Sequence, residues 1–126
     1  MEEKLEMPYI TEYTKFIKDY ATGQVTGEEV GELVVRMAQY YAEHNLRRVM
    51  AERAYVLVMR DAETKVDEAT GKQLSSAKAK SIAEATDEAF AAEQAKGHLA
   101  NIEQFINALK CLQKGVLNEF SHMGNQ

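Results

Sequence analysis

Beyond Pro8 this chain has no proline, and it has no tryptophan and only one cysteine, Cys111. A lone cysteine excludes an intrachain disulfide and makes a reducing compartment the default expectation. No apolar run approaches the roughly 18 residues that a membrane-spanning helix needs. The opening Met1-Glu2-Glu3-Lys4-Leu5-Glu6 is too acidic for a secretory or transit peptide. These absences predict a cytoplasmic protein with no membrane partner. A glycine-rich phosphate loop, a zinc spacing and a nucleophile–base constellation are missing as well. The expectation is a protein that is not an enzyme and carries no cofactor.

The scarcity of helix breakers is itself informative. Alanine, glutamate and lysine are abundant, which favours helices. Pro8 suits a first helical position, and Tyr9, Tyr13, Phe16, Ile17 and Tyr20 follow helical spacing as far as a stop at Gly23. This predicts a short helix over about residues 8–21. Thr26-Gly27-Glu28-Glu29 has the spacing of a capping box, and from there no strong break occurs before Thr70-Gly71-Lys72. A long helix is expected over about 27–69, with Val30, Leu33, Val34, Met37, Tyr41 and His44 on one face. The segment from Ala54 to Met59 is apolar all round and reads as helix buried on several sides. A corner over about 70–75 then leads, through a cap at Ser75 or Ser76, into a second long helix over about 76–122.

That last helix carries a heptad seam, with Ala92, Leu99, Ile106, Gln113 and Phe120 in one position and Ala95, Ile102, Leu109, Val116 and Met123 in the other. Phe105 and Leu112 widen the stripe beyond what a single neighbour covers. Folding the chain antiparallel about Gly71 sets bulky Tyr55–Met59 against the alanines around Ala85–Ala89, and Met37 against Ile106 and Leu109. It also sets Val30 near Val116 and Gly31 opposite Gly115, where a close helix approach is expected. The fold class is therefore all-α in one domain: a short N-terminal helix and a long antiparallel hairpin, completed into a bundle by oligomerisation. Each long helix would span roughly 60 Å at about 1.5 Å per residue, more apolar surface than one hairpin buries. The core and oligomer seam is assigned to Leu99, Ile102, Phe105, Ile106, Leu109, Leu112, Val116 and Phe120.

Side chains able to do chemistry are few. Glu119-Phe120-Ser121-His122 matches one half of a carboxylate-bundle metal motif, but the second half is lacking. His44 and His98 are expected to approach across the hairpin, as a polar contact rather than a metal site. Cys111 reads as a small, partly buried hydrophobe. Lys65, Lys72, Lys78 and Lys80 mix with Asp61, Glu63, Asp67 and Glu68 around the corner, a solvated tip.

Charge is uneven. Residues 1–45 hold nine acids and four bases, which accounts for the whole net charge of −5. Against that background Arg47, Arg48, Arg53 and Arg60 stand with Glu52 as their only acidic neighbour between residues 46 and 60. Two expectations follow: salt bridges to Glu84, Asp87, Glu88 and Glu93 across the hairpin, or a grip on a phosphodiester backbone, with Tyr40, Tyr41 and Tyr55 as stacking platforms.

The layout is an Arg-punctuated helix from Arg47-Arg48 to Arg60, a charged connector with Gly71, a restart at Ser75-Ser76 and an amphipathic helix ending near Phe120. Over roughly residues 35–123 it resembles small helical accessory proteins of tailed bacteriophages, above all the recombination mediators of T4-like phages. The acidic balance departs from their more basic pattern. The resemblance implies an oligomer that binds single-stranded DNA through the Arg47–Arg60 face and loads a recombinase. The functional expectation is a non-enzymatic, oligomeric helical binding protein acting on protein partners or single-stranded nucleic acid. A structural scaffold, a small-ligand sponge at an oligomer interface and a carboxylate/His metal bundle are the alternatives.

Overall fold

The computed structural model describes residues 7–124, with side chains described for residues 7–115. Val116, Glu119, Phe120, His122 and Met123 therefore lie outside the described side chains. The elements are α1 (Pro8–Ala21), α2 (Gly27–Glu63), α3 (Ser76–Glu84) and α4 (Asp87–Gly124). No strand occurs among the described residues. The protein is all-α, a short N-terminal helix followed by a helical hairpin in which α2 and α4 pack closely.

The helix starts follow local chemistry. Pro8 opens α1. The Thr26 hydroxyl accepts from the Glu29 N–H at 3.2 Å to open α2, and the Ser75 hydroxyl accepts from the Lys78 N–H at 3.3 Å to open α3. The helix ends share one device. Thr22, Thr64 and Thr86 follow α1, α2 and α3, and each donates its hydroxyl to the carbonyl three residues back: Asp19 at 2.9 Å, Asp61 at 2.7 Å and Ala83 at 2.6 Å. Such bonds satisfy a carbonyl left over at a helix end and compete with continuing the helix.

Two expected boundaries move for this reason. The first long helix stops at Glu63 rather than 69. After Thr64, the Asp67 N–H donates to the Lys72 carbonyl at 2.7 Å and the Leu74 N–H to the Lys65 carbonyl at 3.0 Å, forming a tight reversed loop with a bridge between Val66 and Gln73. Gly71 sits at φ 69°, where a side chain would be strained. The Asp67 carboxylate accepts from the Ala69 N–H at 2.9 Å and from Lys78 Nζ at 3.2 Å, and these two bonds, the backbone one first, hold its pKa below the usual value. The second long helix is broken at Ala85–Thr86 into α3 and α4. Thr86 restarts the chain: its hydroxyl also accepts from the Ala89 N–H at 3.3 Å, with Asp87 and Glu88 in the first turn of α4. Thr86→Ala should lower stability by about 0.5–2 kcal/mol, measured by urea unfolding, because one hydroxyl serves both helix ends.

The chain divides into two compact units. The first comprises residues 1–42 and 100–126. Its core joins Tyr9 and Phe16 of α1, Val30, Leu33 and Met37 of α2, and Ile102 and Leu109 of α4. The second, residues 43–99, has a core of small side chains: Ala62, Ala79 and Ala83, with Tyr55, Val58 and Met59 packed on them. The large-against-small packing expected between Tyr55–Met59 and the alanines around Ala85–Ala89 forms instead on Ala79 and Ala83 of α3, beside Ala62 of α2. The expected glycine-on-glycine approach does not form. A Cβ on Gly31 would come within 3.0 Å of Gln113 Nε2, whereas one on Gly115 would meet nothing within 4 Å.

Candidate functional site

Of the α4 seam, Leu99, Ile102 and Leu109 are buried, and Phe105, Ile106 and Leu112 are half-buried against the first unit's core. Phe105 is stacked on Tyr13, with ring centroids 3.9 Å apart and planes at 4°. Much of this seam is thus filled by the chain's own α1 and α2.

The longest run of exposed large apolar side chains along one helix lies elsewhere, on the α2 portion of the second unit; Ile17, Tyr20, Val35, Val66, Ile82 and Phe90 are exposed at separate positions. Leu46 (61%), Val49 (49%), Met50 (65%), Val56 (46%) and Leu57 (55%) are all exposed. With 3.6 residues per turn, these five, Arg53 and Arg60 fall within about 60° of one another's centre line, at Arg53. The buried His44 and Ala62 lie on the opposite side of α2. The expectation that Ala54–Met59 is buried on several sides is therefore corrected: Tyr55, Val58 and Met59 face the alanine core, while Val56 and Leu57 face solvent.

The four arginines divide. Arg47 donates to Glu43 Oε1 at 2.8 Å. Arg48 donates to Glu52 at 2.8 Å and twice to Asn45 Oδ1, at 3.1 and 3.0 Å. These partners lie one turn away on the same helix, not on the expected Glu84, Asp87, Glu88 or Glu93. Arg53 and Arg60 make no ion pair among the described residues. The tyrosines named with them lie elsewhere. Tyr40 packs near Tyr9, with centroids 6.4 Å apart, and the Tyr41 hydroxyl donates to Glu103 at 3.1 Å, both in the first unit. Tyr55 lines a groove of about 400 Å³ with Glu52, Glu84, Phe90, Glu93 and Lys96.

His44 and His98 do meet, with ring centroids 5.3 Å apart. Burial, then the charge of Arg47, lowers both pKa values below 6.5, and His98 adds to the effect on His44. Both rings are accordingly neutral at neutral pH. Among the described residues no three His, Cys, Asp or Glu side chains are grouped so as to hold a metal ion. Cys111, expected to be partly buried, is exposed, since two residues along a helix from buried Leu109 point the other way. No described helix is long and apolar enough to cross a membrane. Comparison with known proteins finds no matching family, no similar curated protein and no similar solved structure.

Proposed function

We propose that this chain is a non-enzymatic helical binding protein that works by helix docking onto the exposed face of α2, in the first place by associating with copies of itself. One observation carries the reading: five large apolar side chains stand at about half exposure or more along a single face, interrupted only by Arg53 and Arg60. Apolar surface concentrated in this way marks an interaction site more often than scattered exposed residues do. Completing the burial of one such side chain is worth roughly 1 kcal/mol. Five per copy is comparable to the cost of associating two chains, so the interface is reversible and concentration-dependent.

Sedimentation equilibrium tests this directly. The average mass should rise with concentration through the micromolar range, and Leu57→Glu should weaken association at least about tenfold while leaving helicity unchanged, because Leu57 is not in the core. A chain that stays monomeric throughout would remove the reading.

A second reading has its own support. Arg53 and Arg60, free of ion pairs among the described residues, are basic groups on an otherwise acidic chain, in keeping with the likeness to phage recombination mediators. On that reading the same face takes single-stranded nucleic acid. Binding would then weaken with added salt, and Arg53→Ala/Arg60→Ala would flatten the salt slope by about two phosphate contacts. Salt-independent retention of an oligonucleotide, or none, would discard it.

A further inference from the structure

We infer that α2 pairs antiparallel with α2 of a second copy, in a register that sets Glu43 of each copy against Arg60 of the other. This rests on the self-association reading and supplies its geometry. The exposed residues recur at alternating steps of three and four: Glu43, Leu46, Met50, Arg53, Leu57 and Arg60 form one continuous seam, flanked by Val49 and Val56. A stripe of this spacing is what two helices need to interdigitate.

Charge selects the orientation. A parallel pair would stack Arg53 on Arg53 and Arg60 on Arg60. An antiparallel pair centred on Arg53 would still place the two Arg53 side chains together. Centring the two-fold axis at the level of Ala51 and Glu52 separates the two Arg60 and staggers the two Arg53 by about 4.5 Å, with Glu52 of each copy beside them. Leu46 then faces Leu57 of the other copy, Met50 lies under the aliphatic stem of Arg53, Val49 flanks Val56, and Arg60 meets Glu43. Each contact occurs twice by symmetry. A slip by one heptad in one direction puts Leu57 on Gln39 and Arg60 on Arg36. In the other it puts Leu46 opposite Thr64, beyond the end of α2, and leaves Arg60 without an acid.

The proposed partners suit each other. Arg60 makes no ion pair among the described residues, and Arg47 holds Glu43 through Oε1, leaving Oε2 to accept from a second arginine. With helix axes about 8–10 Å apart, both side chains reach across such a seam.

Charge exchange tests the register. Glu43→Lys alone sets lysine against Arg60, and Arg60→Glu alone sets glutamate against Glu43. Each variant should self-associate about tenfold more weakly than the unaltered chain. Mixed in equal amounts, the two should form a heterodimer of restored affinity, since every cross pair is then of opposite sign. As an independent measurement in a Cys111→Ser background, Leu46→Cys/Leu57→Cys should oxidise to a covalent dimer, whereas Leu46→Cys alone should not. If the unaltered chain associates but mixing restores nothing, or Leu46→Cys alone crosslinks efficiently, the register is overturned and self-association stands. If the unaltered chain remains monomeric at high micromolar concentration with its helicity intact, both fall.

Discussion

Replacing Tyr9 with alanine is expected to cost about 3–5 kcal/mol, as truncation of a fully buried aromatic side chain generally does. Tyr9 is 0% exposed, and its ring lies 5.9 Å from that of Phe105 and 6.4 Å from that of Tyr40, so it joins α1 to both α4 and α2. A helix of 14 residues is marginal on its own, and α1 persists because its aromatic face is packed. The cavity left by Tyr9→Ala would empty the centre of the first unit's core. Urea unfolding followed by far-ultraviolet circular dichroism should show the loss. Ile17→Ala, on the exposed side of the same helix, should cost well under about 1 kcal/mol. Equal effects from the two substitutions would mean that α1 is not docked through Tyr9.

The residues that make this core were legible because strong periodicity and large side chains coincide in them. Val30, Leu33 and Met37 share one helix face, and Pro8, Gly23 and Thr26 punctuate the chain around α1. The helix ends at Glu63 and Glu84 were harder to see. No proline or glycine marks them; the stop is a threonine hydroxyl turning back onto the preceding turn, a signal with the same residue type wherever threonine occurs. Thr86-Asp87-Glu88 nevertheless had the composition of a helix start. The arginine interval was visible too, but its partners were sought across the hairpin, while Glu43–Arg47 and Arg48–Glu52 have the four-residue spacing of neighbours on one helix.

The exposed stripe was the least legible feature. An all-round apolar segment such as Ala54–Met59 does not reveal from sequence how many of its sides find neighbours. Here Ala79 and Ala83 of α3 cover the side that carries Tyr55, Val58 and Met59, while Val56 and Leu57 stay exposed. Small core side chains permit close packing but bury little surface, so the larger groups left on the far face of α2 must find cover outside the chain or remain wet.

Acidification should destabilise the fold in two separable steps, the upper one set by His44 and His98. Both pKa values are depressed in the folded state, chiefly by burial, so the folded chain binds these protons less readily than the unfolded chain. The neutral pair's contribution is complete above the unfolded value near 6.5 and is lost as pH falls from there toward the lower folded values. Each proton of difference tilts stability by about 1.4 kcal/mol per pH unit, and two rings whose centroids are 5.3 Å apart resist the second proton more than the first. Arg47 stays charged throughout this window and opposes both protonations, while Glu43 favours that of His44 and is outweighed. Asp67 acts lower down. Its depressed carboxyl pKa gives stability that is present above the ordinary value of 3.8 and disappears below it. Urea midpoints taken between about pH 8 and pH 5 should therefore decline on the acid side. His98→Gln should flatten that decline, while the Asp67 step appears separately when the series is extended below about pH 4. Midpoints that do not change across this range would show that neither imidazole is desolvated in the fold.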